Sequence, residues 1–168
     1  VVDEDQVQSL ARRAIDLVER SGGIRPRDVK TQIRAITRTH AWVIRDKDGL
    51  SEGLDRIRET AEVMRVSAEQ STFKVSPRDG FDWAEYLEVP NMLACTELML
   101  AGSLERKESR GAFVRADYPE TDNENWLKNI TYKQVHGEQV MDYVPVELKY
   151  CRPESANART PYLATLTS

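Results

Sequence analysis

Leu104-Glu105-Arg106-Lys107-Glu108-Ser109-Arg110-Gly111-Ala112-Phe113-Val114-Arg115-Ala116-Asp117-Tyr118-Pro119 is where the helical period of this chain stops. Upstream, apolar residues recur every three or four positions, the spacing of one face of an α-helix. Downstream, glycine, proline, aspartate and asparagine punctuate the chain and two short apolar runs follow. The stretch itself packs four bases and three acids around Gly111 at the end of an apolar helix.

Immediately before it, Met92, Cys95, Leu98, Met99, Gly102 and Leu104 continue a pattern begun by Phe81, Trp83, Ala84 and Leu87. Val89-Pro90 falls between the two halves; proline donates no hydrogen bond and disfavours helix at the residue before it, so the spacing predicts one long helix or a helix split near Pro90. Ala94, Ala101 and Gly102 are small enough to let neighbouring helices approach, and Cys95 is expected on the apolar face as a small buried hydrophobe. Further back, Thr72 to Pro77 reads as a break. Leu50, Leu54, Ile57, Ala61 and Met64 make a third helix behind a turn at Asp46-Lys47-Asp48-Gly49, with Ser51 as its cap. Val29, Ile33, Ile36, His40 and Val43 mark a second helix opening at Pro26. Val7, Leu10, Ala11, Ala14, Ile15 and Val18 place a first amphipathic helix over Asp3 to about Arg20, closed by Ser21-Gly22-Gly23.

On the other side, Glu108 to Trp126 is polar and turn-rich, with room for a short helical turn at Asn125 to Asn129. Ile130, Tyr132 and Val135, then Val140, Tyr143, Val146, Leu148 and Tyr150, predict a β-hairpin around His136-Gly137-Glu138, Pro145 demoting its strand to an edge. Pro153 to Ser168 reads as an extended tail. The expected fold is mainly α: an antiparallel helical bundle over residues 1–106, then loop, short hairpin and tail over 107–168.

A chain of 168 residues allows one domain, or one with a small extension. Its 24 basic and 28 acidic residues mix from end to end, leaving no basic face, so nucleic acid is not expected as a partner. Charges interrupt every apolar stretch well short of the roughly 18 residues of a membrane span, so no direct membrane insertion is expected. Cys95 and Cys151 lie far apart, which fits a reducing compartment. The chain starts Val1-Val2-Asp3-Glu4-Asp5, with neither initiator methionine nor signal peptide, and is expected to be a piece of something longer.

Chemistry-bearing patterns are sparse. His40 and His136, the two histidines, have no metal-ligand spacing, and the acids Asp117, Glu120, Asp122 and Glu124 lack the glycine and spacing of a calcium loop. Neither a glycine-rich phosphate loop nor a nucleophile elbow occurs. No catalytic, cofactor-binding or metal residue is expected in this chain. Glu105, Arg106 and Glu108 read as ordinary ion pairs worth a few tenths of a kcal/mol. Arg110, Arg115 and Asp117, held on a loop turned by Gly111, have the charge and fork geometry to dock on another surface.

The run Arg106-Lys107-Glu108-Ser109-Arg110-Gly111-Ala112, with Arg115, Asp117-Tyr118-Pro119, Asp122 and Asn125-Trp126-Leu127-Lys128, resembles the signature R-x-E-S-R-G-A-H-x-R-x-D-Y-P-x-x-D-x-x-N-W-L-K. That signature belongs to the C-terminal domain of the flavoprotein subunit of succinate dehydrogenase and fumarate reductase. Val43-Ile44-Arg45-Asp46 through Gly49-Leu50 to Leu54 and Ile57, and Val144-Pro145-Val146 to Arg152-Pro153, are similar to further stretches of the family. Phe113 stands where the family usually carries histidine. The resemblance implies a three-helix, spectrin-repeat-like bundle whose extension packs on the bundle or on a flavin domain upstream. It implies FAD in the parent protein and none in this fragment, so the parent is expected to be an FAD-dependent succinate/fumarate oxidoreductase and the fragment alone inactive. The implied partners are the N-terminal flavin-binding and capping domains of the same polypeptide and an iron-sulfur subunit, with Arg110, Gly111, Arg115 and Asp117 at the domain interface. The implied location is cytoplasmic, reaching the inner face of the cytoplasmic membrane only through partner subunits. L-aspartate oxidase and adenylylsulfate reductase are similar, and the same domain of such a flavoprotein is the nearest alternative. A different class of alternative is an independent helical interaction module.

Overall fold

A computed structural model of the chain describes residues 3–19, 24–70, 80–136, 138–147 and 149. The break at Thr72 to Pro77, the Ser21-Gly22-Gly23 cap, Leu148, Tyr150, Cys151 and the tail from Pro153 lie outside the described residues. The fold is mainly helical, as the periodicity predicts, and the described residues form two small strand pairs, of which the hairpin is expected from the sequence and the other is not. Its elements are α1 (Glu4–Glu19), α2 (Pro26–His40), β1 (Ile44–Arg45), α3 (Lys47–Gln70), α4 (Gly80–Glu105), β2 (Val114–Arg115), α5 (Asn123–Trp126), β3 (Lys128–Val135) and β4 (Glu138–Pro145).

Local chemistry sets the helix starts. Asp3 opens α1, its Oδ1 accepting from the amides of Asp5 and Gln6 at 3.1 Å. Pro26 occupies the first turn of α2, where its missing N–H costs nothing. The expected turn at Asp46-Lys47-Asp48-Gly49 is instead the first turn of α3: Asp46 Oδ1 accepts from the Gly49 amide at 2.8 Å, and Asp46, not Ser51, is the cap. Turn-forming residues and N-cap residues are the same types, and only the bond to the third amide separates them.

The chain divides into two compact units, each drawing on two stretches. Unit one comprises Val1–Thr37 and Asp55–Glu97. In it Val29, Ile33, Ile36, Ile57, Met64, Val89 and Leu93 are buried. The Ile24 amide donates to Ser67 Oγ, Arg58 pairs with Glu97, and Lys30 pairs with Glu85 and Glu88. Those contacts join the start of α2 to the end of α3 and, with the order of the helices, give an up-down-up arrangement. Pro90 does not split α4, which runs unbroken past it; burial of Val89 and Leu93 on either side holds the turn.

The amphipathic α1 forms as expected, and Val7, Leu10 and Ile15 of its stripe are more than half exposed, because a stripe makes a helix amphipathic without specifying what covers it. One expectation about a face is overturned. On α4, Cys95 and Met99 are exposed while Val89, Leu93, Leu100 and Ser103 are buried. Apolar residues surround α4 nearly completely, so periodicity could not choose the buried side.

Unit two comprises Arg38–Leu54 and Leu98–Ser168. His40, Leu50, Leu54, Leu100, Val114 and Trp126 are buried in it, whereas Val43, assigned to the α2 stripe, lies beyond the helix and is exposed. β1 and β2 pair in parallel, Ile44 opposite Val114 and Arg45 opposite Arg115. β3 and β4 form an antiparallel hairpin from Lys128↔Pro145 to Val135↔Glu138, turning at His136, whose φ is +52°. Val146 N–H donates to the Leu127 carbonyl at 3.1 Å, which makes Lys128↔Pro145 a pair whose backbone groups face outward. Pro145 therefore loses no ladder bond. The short helical turn falls at Asn123–Trp126, capped by Asp122, and Lys128 and Asn129 belong to β3.

Candidate functional site

The loop from Arg106 to Asp122 is built on a buried carboxylate. Glu108 has 0 % of its surface exposed. Its Oε1 accepts from Arg106 Nη1 at 2.5 Å and Arg110 Nε at 2.9 Å; its Oε2 accepts from Arg110 Nη2 at 2.9 Å and the Asp122 amide at 3.0 Å. All the strong acceptor directions of the ion are used, the condition under which a buried charge is tolerated. Arg106 then donates to the carbonyls of Trp126 and Lys128 at 3.1 and 2.6 Å, the latter being the outward-facing carbonyl opposite Pro145. Arg110 reaches Asn123 Oδ1 at 2.6 Å. One carboxylate thus ties the end of α4 to α5 and the root of the hairpin.

Arg115 is the second anchor, 1 % exposed. Its Nη1 donates to the carbonyls of Ser103, Leu104 and Arg106 at 2.7, 3.0 and 2.9 Å, groups that the end of a helix leaves unbonded. No basic residue lies in the last turn of α4, so Arg115 supplies from a distance the positive charge that suits the negative end of the helix dipole. Its Nε and Nη2 grip Asp117 at 2.8 and 2.6 Å, and its plane lies over the Tyr118 ring at 5.1 Å. The Arg115 fork, more than any other partner, holds the Asp117 carboxyl below the usual aspartate range. Ser109 Oγ donates to the Tyr118 carbonyl at 2.8 Å and accepts from the Arg115 amide at 2.9 Å.

Between these anchors, Arg110 and Phe113 exchange backbone hydrogen bonds at 2.8 and 3.0 Å across a two-residue turn. Gly111 has φ +60°, the left-handed value that glycine takes freely, and nothing lies within 4 Å of where a Cβ would stand. Gly111 and Ala112 are exposed at the tip, and Phe113 lies under the Arg45 guanidinium at 4.8 Å.

Of the four residues singled out from sequence, Arg110 and Gly111 stand at the loop surface, Asp117 is partly exposed, and Arg115 is turned inward with its donors engaged. Sequence reasoning missed Glu108 and Arg106: they are not helix-surface ion pairs but the buried centre of the loop. The available signal was the density of charge and serine around one glycine, which is more than a solvated turn requires. Gly102 lets in the hairpin rather than another helix; a Cβ there would stand 2.9 Å from Tyr132 Oη, which donates to the Leu98 carbonyl.

Two cavities flank the loop. One, about 480 Å³, is lined mainly by Leu98, Met99, Phe113, Trp126, Ile130 and Val146. The other, about 650 Å³, is lined by Asp117, Glu120, Asp122 and Glu124 with Lys107 and polar neighbours. The surplus of carboxylates around the second cavity repels a diphosphate, whereas Arg106, Arg110 and Lys128 also line the first. Among the described residues no group of three or more His, Cys, Asp or Glu side chains could hold a metal ion. No described helix is long and apolar enough to cross a membrane.

The family model described as fumarate reductase flavoprotein C-term matches residues 30–158. The succinate dehydrogenase flavoprotein subunit of Rickettsia bellii (strain RML369-C) is 28% identical over 151 residues, covering 88% of this chain and 24% of that protein. Among solved structures, a variant of the E. coli quinol fumarate reductase superposes with a TM-score of 0.74 at 23% identity, over 91% of this chain and 26% of that one. Adenylylsulfate reductase of Archaeoglobus fulgidus superposes at 0.69 with 19% identity, over 88% and 25%. The structural likenesses show a common fold. The chain spans about a quarter of the length of the curated relatives it matches.

Proposed function

This chain belongs to the fumarate reductase flavoprotein C-terminal family, and we propose that it is the helical end of an FAD-dependent subunit that interconverts succinate and fumarate. The observation that carries the reading is the family match over residues 30–158, which includes the whole Glu108–Arg115 loop. In this reading the loop is a structural piece, not a reacting one. Glu108 and Arg115 consume their own charges to hold a rigid tip, and Arg110 and Gly111 present that tip to the flavin-binding part of the same polypeptide, with Asp117 fixing Arg115 behind it. Residues 107–168 form the extension that packs on the bundle or on that flavin-binding part. FAD and the dicarboxylate belong upstream, as does contact with the capping domain; an iron-sulfur subunit takes or gives the electrons.

The test is to purify the parent polypeptide and this chain separately. The parent is expected to carry one flavin and to turn over succinate or fumarate; the chain alone is expected to be helical by circular dichroism, colourless and inactive. Stoichiometric flavin on the isolated chain, or a parent that turns over L-aspartate or adenylylsulfate and not the dicarboxylates, overturns the reading.

A further inference from the structure

The two edges of the β1–β2 pair are finished differently. The bonds between the strands use the Val43 carbonyl, which accepts from Val114 N–H at 3.2 Å, and the Arg45 carbonyl, which accepts from Ala116 N–H at 2.8 Å. In a parallel ladder the residues between, Arg115 on β2 and Ile44 on β1, turn their backbone groups outward. On the β2 side that edge is closed: the Arg115 amide donates to Ser109 Oγ at 2.9 Å, and the Arg115 carbonyl accepts from the Tyr118 amide at 3.1 Å. On the β1 side the Ile44 amide and carbonyl have no partner among the described residues.

The open edge is also apolar. Trp42, Val43 and Ile44 are 66%, 36% and 45% exposed. They are not loosely held, because Arg45 fixes the segment: its Nε donates to the Trp42 carbonyl at 2.8 Å, its Nη1 to Ser103 Oγ at 3.0 Å, and its plane covers Phe113. Isolated edges usually carry charge or proline on the exposed side, and this one carries a tryptophan, a side chain favoured at the centres of interfaces.

We propose that the β1 edge receives an extended segment of the rest of the flavoprotein polypeptide, which adds a strand beside Ile44 and covers Trp42. The inference rests on the reading of the chain as the end of a longer subunit. The occupant follows from size. The three side chains offer a few hundred Å², short of the ~800 Å² per side of a typical interface between separate proteins. A segment on the same polypeptide meets the edge at an effective concentration of order millimolar, so a small patch suffices. The relatives supply such a segment, since about three-quarters of their length lies outside the part matched here.

The experiment uses the full-length polypeptide. Trp42→p-benzoylphenylalanine is irradiated and the cross-linked peptide identified, and hydrogen exchange of the Ile44 amide is followed in the unsubstituted protein. The expected result is a cross-link to an upstream segment of the same chain, together with a protected Ile44 amide. Ile44→Pro removes the outward N–H and holds Val43 extended without taking away any group that bonds β1 to β2, and the cross-linked segment is expected to exchange about tenfold faster. A cross-link to a second copy or to another subunit, no cross-link, an Ile44 amide exchanging as in a free peptide, or an unchanged segment in Ile44→Pro overturns the proposal. Flavin content and dicarboxylate turnover of the same preparation report separately on the parent reading.

Discussion

At the scale of the residue, burial decides which charges matter. Glu108 and Glu97 each pair with arginine, yet the first is sealed under the loop and the second lies at the surface beside Arg58. Removing one member of a buried network leaves its partners uncompensated, at a cost of about 3–5 kcal/mol, whereas an exposed pair contributes ~1 kcal/mol or less. Urea unfolding should therefore show Glu108→Ala losing several-fold more stability than Arg58→Ala; equal losses would show that the carboxylate does not hold the loop. Asp117 makes a pH prediction. Its folded pKa lies below the unfolded one, chiefly through the Arg115 fork, so the stabilisation is present above the unfolded value and is lost as pH falls through the folded value. Asp117→Asn should lower the melting temperature at neutral pH, and the gap to the unsubstituted protein should close at pH values below the carboxylate range.

At the scale of the element, the helices are specified locally but approach one another through small residues. Gly53 lies within α3, where glycine costs roughly 1 kcal/mol relative to alanine. A Cβ at Gly53 would stand 2.7 Å from His40 Cβ, 3.2 Å from its Cγ and 3.4 Å from Leu100 Cδ2. The nearest obstacle is the root of a side chain, so backbone must shift, and overpacking of this kind costs about 1–3 kcal/mol. Gly53→Ala is expected to lower the melting temperature by a few degrees despite its better helix propensity; an unchanged or raised value would show that His40 can move aside. The hairpin depends on α4 in the same way. Tyr132 closes over Gly102, and Tyr143 Oη donates to Glu105 at 2.5 Å. Lys128 lies over the rings of Trp126 and Tyr143, at 4.7 and 4.3 Å.

At the scale of the whole molecule, the chain is one quarter of the length of its relatives, and the sites proposed above are surfaces rather than reaction centres. The sequence by itself determined what depends on near neighbours: the helices, the starts at Asp3 and Pro26, the hairpin around His136, the Gly111 turn, and a loop signature long enough to point to the family. A helix start needs only the next three amides, and a turn only four residues, so both are written in consecutive positions. Tertiary structure alone decided which face of α4 is buried, because its apolar residues surround the helix. It decided that Val7, Leu10 and Ile15 of α1 stay exposed, and that Glu108 is a buried hub rather than a surface partner. It also decided that Arg115 closes the end of α4 and that Ser109 and Tyr118 seal one edge of the strand pair while Ile44 is left open among the described residues. Each of those outcomes depends on groups distant in sequence or on desolvation, and neither spacing nor residue type records how far a side chain lies from water.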